Sequence, residues 1–207
     1  MTRKKRVRTL LPYLTKALAT CLALLLLLGG CSSTATRSDK TAEPVKLPRN
    51  YDNALVLMQS GDYQAAIPVL QAFIEKTPGL AGPHLNLGIS YLKSGDFEAA
   101  VAALTNAIEL NPENAAAYQQ LGITYREQGN FKAALDAYSR ALELDSDYAL
   151  AHRNIGILYD LYLQQPRLAL DHYKRYLELI ADPDQTVSRW VVDLERRTNT
   201  TSARSTP

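Results

Sequence analysis

The sequence predicts an all-α protein made of stacked helix pairs, and three observations carry that expectation. Gly88, Gly122 and Gly156 are spaced by 34 residues, and Gly61, Gly95 and Gly129 repeat at the same interval. The period also returns Tyr91, Tyr125 and Tyr159, then Ala66, Ala100 and Ala134, then an aromatic ring at Tyr63, Phe97 and Phe131. Gly95-Asp96 and Gly129-Asn130 are turn pairs between apolar stretches, with residues that tolerate the left-handed backbone at a helix end. A unit of this length cannot bury its apolar face alone, so successive units must stack into a solenoid.

The chain opens with Arg3, Lys4, Lys5, Arg6, Arg8 and Lys16, and no acidic residue precedes Asp39. The apolar run that follows, Ala17 to Leu28, has 12 residues. A spanning helix needs roughly 18 or more, whereas a basic segment followed by a run of this length has the pattern of a secretory signal peptide. Gly29 and Gly30 then break the helix in front of a thiol, Cys31. Leu28-Gly29-Gly30-Cys31 is similar to the lipobox of bacterial lipoproteins, Leu-(Ala/Ser)-(Gly/Ala)-Cys, departing from it at Gly29. The resemblance implies removal of residues 1–30, a diacylglycerol thioether on Cys31 and usually a third acyl chain on its new amino group. Two or three chains give a lasting anchor where one binds only marginally. Cys21 lies inside the apolar run, and cleavage there would leave Leu22 to Leu28 in the mature chain. Ser32 follows the cysteine where Asp holds many such proteins in the inner membrane, so the expected location is the periplasmic face of the outer membrane.

Loss of residues 1–30 takes six basic residues and no acidic one, leaving 17 Lys and Arg against 21 Asp and Glu, about −4. The chain's net charge of +2 therefore belongs to the export signal and gives no support for a nucleic-acid face. Once Cys31 is acylated no thiol is left for a disulfide or a metal site. Residues 31–47 are rich in Ser, Thr, charge and Pro without an apolar period. They read as a tether that, fully extended, reaches up to ~55 Å from the membrane.

Residues 48–182 resemble the tetratricopeptide repeat, a helix-turn-helix unit with W-x2-L-G-x2-Y, then A-x3-F, then P. The second unit (81–114) carries His84, Leu87-Gly88, Tyr91, Ala100, Leu104, Ala107 and Pro112. The third (115–148) carries Tyr118, Leu121-Gly122, Tyr125, Ala134, Tyr138 and Ala141. The first (48–80) keeps Gly61, Tyr63, Ala66, Leu70 and Pro78, with Ala54 for the glycine and Phe73 for the small residue. The fourth (149–182) keeps Ile155-Gly156 and Tyr159, and needs one inserted residue near Gln164-Gln165-Pro166 to align Ala169 and Tyr173. The resemblance implies a right-handed α-solenoid of about four pairs. Residues 183–197 are expected as a capping helix, with Asp182 as N-cap, Pro183 at the first position and Val187, Trp190, Val191 and Leu194 on one face. Trp190 reads as a cover for unit four, with a partner-binding anchor as the alternative. Residues 198–207 lack the apolar content to join a core.

Catalysis is not expected. His84 and His152 stand where the resembled family places a bulky ring, and His172 has no acidic residue or second histidine at ligand spacing on its helix. No Ser/His/Asp arrangement, phosphate-cradling glycine loop or HExxH occurs, and no cofactor or metal is implied. In the resembled family positions 2, 5, 9, 12 and 13 of each first helix face a groove. Position 9 gives an aliphatic ladder of Leu55, Ile89, Ile123 and Ile157; position 5 includes Leu85, Gln119 and Arg153. Lys93, Arg126, Glu127, Arg153 and Asp160 would form the rim. The pattern that clamps a C-terminal carboxylate in chaperone-binding members, Asn at position 9 with Lys or Arg at position 5, is absent. The ladder is either the floor for an apolar peptide or helix or packing between units. The expected function is a non-enzymatic, lipid-anchored scaffold for periplasmic or envelope proteins. A pilotin-like assembly factor for a secretin and an accessory of a TonB-type or cell-wall enzyme complex are alternatives.

Overall fold

The computed structural model describes residues 49–204; the expected signal, Cys31 and the tether lie outside them, as do the last three residues. Among the described residues every regular element is helical. They run α1 (Arg49–Gln59), α2 (Tyr63–Lys76), α3 (Ala81–Ser94), α4 (Phe97–Leu110), α5 (Ala115–Glu127), α6 (Phe131–Leu144), α7 (Ala149–Ile157), α8 (Pro166–Leu179) and α9 (Gln185–Arg204). Each helix packs chiefly on its neighbours in sequence, and the first helices of units two to four also touch in succession, α3 on α5 and α5 on α7. The result is a tetratricopeptide-like helical-repeat solenoid closed by α9.

The repeat works through one contact. Gly88, Gly122 and Gly156 let the first helix of a pair lie directly on the side chain that fills the second. A methyl group at these positions would sit 2.5 Å from Leu104 Cγ, 2.5 Å from Tyr138 Cδ1 and 2.6 Å from Tyr173 Cδ1. No real Cβ tolerates such distances, so the residue must be glycine or the helices must separate. Ala66, Ala100, Ala134 and Ala169 are each fully buried beside this contact, and Leu70, Leu104, Tyr138 and Tyr173 are at most 1% exposed. In unit one Ala54 takes the glycine's place in the cluster that holds Leu70, and Phe73 stacks on Tyr51 with ring centres 4.9 Å apart.

The turns inside the pairs are equally regular. Gly61, Gly95 and Gly129 have φ of +83°, +83° and +76°, conformations that other residues adopt at a cost. The amide after each glycine closes the helix by donating to the carbonyl five residues back: Asp62 to Leu57 at 2.9 Å, Asp96 to Tyr91 at 3.0 Å, Asn130 to Tyr125 at 2.8 Å. The same Asp or Asn then turns its side chain forward as N-cap, accepting from Ala65, Ala99 and Ala133. One Gly-Asp or Gly-Asn pair thus ends one helix and starts the next.

Unit four carries its extra residue as a π-turn, Leu158–Tyr162, at the end of α7. The carbonyl of Tyr159, equivalent to that of Tyr125, now receives the amide of Gln165, six residues on instead of five, at 2.8 Å. Gln164 takes the glycine's place with φ +52°. Gln165 provides no side-chain cap, and Pro166 at the first helical position starts α8 instead.

Two expectations for the C-terminal region are corrected. The N-cap of α9 is Asp184, not Asp182: its Oδ1 accepts from Thr186 N at 2.9 Å and Val187 N at 3.0 Å, while Oδ2 accepts from Tyr176 at 3.0 Å. Three donors outweigh the preference for proline just inside the helix. The helix also continues through residues 198–204, where no regular structure was expected. Thr198, half-buried one turn beyond Leu194, donates its Oγ1–H back to Leu194 O at 2.9 Å.

Gly122→Ala is expected to lower stability by about 1–3 kcal/mol through overpacking against Tyr138. Gly79→Ala, where nothing lies within 4 Å of the added methyl, provides the control and should be neutral. Equal melting temperatures for the two variants would contradict the contact. Gln164→Gly should raise stability by roughly 0.5–1 kcal/mol, relief of the left-handed strain exceeding the entropy of glycine in the unfolded chain. A lower midpoint in denaturant would refute the strain.

Candidate functional site: a groove between the first helices

The first helices of units two, three and four leave a groove of about 490 Å³. From α3 it is lined by Leu92 and Lys93, from α5 by Gln119, Gln120, Ile123, Arg126 and Glu127, and from α7 by Leu150, Arg153 and Asn154, with Gly95 and Phe97 at one edge. Six of the eleven groove and rim residues expected from sequence, Lys93, Gln119, Ile123, Arg126, Glu127 and Arg153, therefore share one surface.

The other five divide by their packing. Leu55 packs on the cluster of Tyr51, Leu70 and Phe73; Leu85 on Leu104 and Leu121; Ile157 on Tyr173 and Val187. Ile89 is half-buried. Asp160 lies in the π-turn and accepts from Arg197 of α9 at 2.9 Å, tying the cap to unit four. The aliphatic ladder thus serves largely as packing between units, and of its four rungs only Ile123, itself packed on the Tyr138 cluster, also faces the groove. Position 9 points toward the junction of neighbouring units, so a partly buried aliphatic side chain there serves both surfaces. Leu92, Gln120, Leu150 and Asn154 were not singled out from the sequence; Leu92 at position 12 of unit two and Leu150, 49% exposed at position 2 of unit four, carried a readable signal.

Polar groups in the groove are held with unused valence. Gln119 is 1% exposed, yet its Oε1 has no donor. Arg126 pairs through Nη2 with Glu127 at 2.7 Å, while its buried Nε has no acceptor. The Nε of Arg153 is likewise buried and unpaired. Arg153 is positioned from the cap: its guanidinium carbon stands 5.9 Å from the ring centre of Trp190, which itself packs on Tyr173 with centres 5.4 Å apart. Trp190 therefore covers unit four, as expected, and also supports a groove residue.

Away from the groove, helix pairing brings together two histidines that are 20 residues apart in sequence. His84 and His152 use their rings alike, each Nε2–H donating at 3.2 Å to a carbonyl six residues earlier, Pro78 O and Ser146 O. His152 Nδ1 is then an acceptor and receives the Nδ1–H of His172 at 3.0 Å. Helical spacing gave no hint of this pair, because its partners sit on different helices. Burial, and then the neighbouring His152, push His172 from 6.5 down to about 4, against a pull from Asp171. Among the described residues no cluster of three or more His, Cys, Asp or Glu is placed to hold a metal, and no helix is long and apolar enough to cross a membrane.

The comparisons agree with this architecture. Residues 85–149 and 120–186 match the family model Tetratricopeptide repeat. The crystal structure of MamA is similar at 27% identity and a TM-score of 0.60, over 67% of this chain and 80% of that one. Pseudomonas aeruginosa pilF superposes with a TM-score of 0.66 at 20% identity, over 73% of this chain and 68% of that one, a likeness of fold alone. The same holds for a thermophilic tetratricopeptide protein of Thermus thermophilus, at 23% identity and 0.61, over 70% of this chain and 79% of that one. No curated protein sequence matches the chain. Tetratricopeptide repeats thus run through residues 85–186, a fold of scaffolds suited to protein–protein interaction whose members are generally not catalysts.

The depressed pKa of His172 carries a pH prediction. Its neutral form stabilises the fold fully above the unfolded value of 6.5, and the contribution is lost as pH falls from there toward about 4. The melting temperature should fall over this window, and less so in His172→Gln. Parallel curves for the two proteins would show that the pair does not titrate as described.

Proposed function

We propose that this protein is a lipid-anchored adaptor without catalytic activity, which holds a segment of a partner protein in the groove between α3, α5 and α7 at the periplasmic face of the outer membrane. The observation that carries the reading is the groove itself, where three successive units present Lys93, Gln119, Ile123, Arg126 and Arg153 on one surface with polar valence unspent. Of six buried side-chain polar atoms without a partner among the described residues, those of Gln119, Arg126 and Arg153 share this surface, while those of His84, Ser94 and Tyr138 lie elsewhere. The lipid anchor is supported by the basic segment, the short apolar run and Leu28-Gly29-Gly30-Cys31. Its consequence is to keep the adaptor at the membrane, where binding partners are confined to one surface and a modest groove affinity suffices.

A photo-crosslinking amino acid at Gln120, half-buried in the groove, is expected to capture a discrete partner in cells. The same probe at Thr105, exposed on α4, should not. Capture from Thr105 with none from Gln120 would place binding on the second helices and contradict the proposal. Cys31→Ser should leave an unprocessed chain that retains residues 1–30, read by intact mass. An unlipidated wild-type chain beginning elsewhere would disprove the anchor.

A further inference from the structure

The groove has a charge opposite to that of the body it is cut into. Over residues 49–204 fourteen Lys and Arg stand against nineteen Asp and Glu, a net −5. The groove instead gathers Lys93, Arg126 and Arg153 against the single acidic Glu127. Glu127 is committed to Arg126. Among the described residues neither Lys93 nor Arg153 forms an ion pair, although acidic side chains outnumber basic ones overall.

The unpaired atoms add a direction. Gln119 Oε1 is a buried acceptor that lacks a donor, as a backbone N–H would supply. The Nε–H groups of Arg126 and Arg153 are buried donors that lack acceptors, as carboxylate oxygens would supply. Between these polar points lie Leu92, Phe97, Ile123 and Leu150. A chain that satisfies both sets must show backbone amides to α5, carboxylates to the arginines and apolar side chains in between. An extended strand does so, because successive side chains point to opposite sides.

Resting on the groove reading above, we infer that the occupant is an extended acidic segment of a partner protein in which carboxylate and apolar side chains alternate. The flanking parts of this chain do not meet that description. Residues 31–48 carry Arg37, Lys40 and Lys46 against Asp39 and Glu43, and residues 198–207 have Arg204 as their one charged side chain. The described residues as a whole are negative, so the charge contrast favours the groove as the place where such a segment lands.

The test is fluorescence anisotropy with the full chain in non-ionic detergent and three short labelled peptides, alternating Leu with Glu, with Gln or with Lys. The Glu peptide is expected to bind at least about tenfold tighter than the Gln peptide at low salt, and to lose most of that margin near 1 M salt, where charges are screened within about 3 Å. The Lys peptide should not bind. Lys93→Gln, at an exposed position whose packing is not at stake, and Arg153→Gln should each weaken the Glu peptide several-fold with the fold intact by circular dichroism. Equal binding of the Glu and Gln peptides, preference for the Lys peptide, or a Glu affinity untouched by both substitutions would overturn the inference. So would binding of phosphatidylglycerol vesicles together with failure of all three peptides, which would assign the cations to a lipid surface. Continued capture of a protein from Gln120 in any of these cases would leave the groove reading standing and remove only the acidic ligand.

Discussion

The structure depends on the approach of two antiparallel helices at a single residue. With glycine at 88, 122 and 156 the backbone of the first helix rests on a leucine or tyrosine of the second, and any larger residue would wedge the pair open. That distance sets the tilt within each pair, and the tilt decides how the next unit can stack. Interior packing transmits such a displacement with little loss, because cores are close-packed and almost incompressible. The groove is the remote product of this contact. Its walls are first helices, and their separation is fixed from behind by the side chains the glycines admit.

The two ends show what the constraint tolerates. Unit one carries Ala54 at the glycine position with Leu70 in its core, whereas unit two meets the equivalent Leu104 with Gly88. Unit four accepts a whole extra residue by widening one hydrogen-bonded turn and placing Gln164 in a left-handed conformation, yet Gly156 still meets Tyr173. The distortion is kept on the turn and does not reach the glycine contact. Beyond it, α9 closes the solenoid with Val187 and Leu194 fully buried and Trp190 against Tyr173. The cap therefore has a second consequence: the ring that seals unit four also carries Arg153, and so the closing of the fold and the charge of the groove share one side chain.

The fold was largely legible because its determinants are local and periodic. The glycine intervals, the Gly-Asp and Gly-Asn turns and the insertion in unit four could each be read directly. What escaped was set by competition at single atoms. Asp182 and Asp184 offer the same chemistry two residues apart, and the choice falls to Asp184 because Tyr176 reaches it across the pair. Residues 198–204 look too polar for a core, but a helix already nucleated on Val187 and Leu194 extends at small cost. For the groove, family positions located Lys93, Gln119, Arg126 and Arg153, whereas the aliphatic ladder divided between packing and surface. Position along a helix gives a direction, while burial depends on how closely the next unit stands. The His152–His172 pair could not be found from spacing, since pairing of helices brings the rings together.

The central claim is that binding belongs to the first helices and stability to the contact behind them. Hydrogen–deuterium exchange of the chain alone and with its crosslink-identified partner measures this most directly. Slowed exchange confined to α3, α5 and α7, with α4, α6 and α8 unchanged, is the predicted result. Protection of the second helices with none on the first would contradict the account.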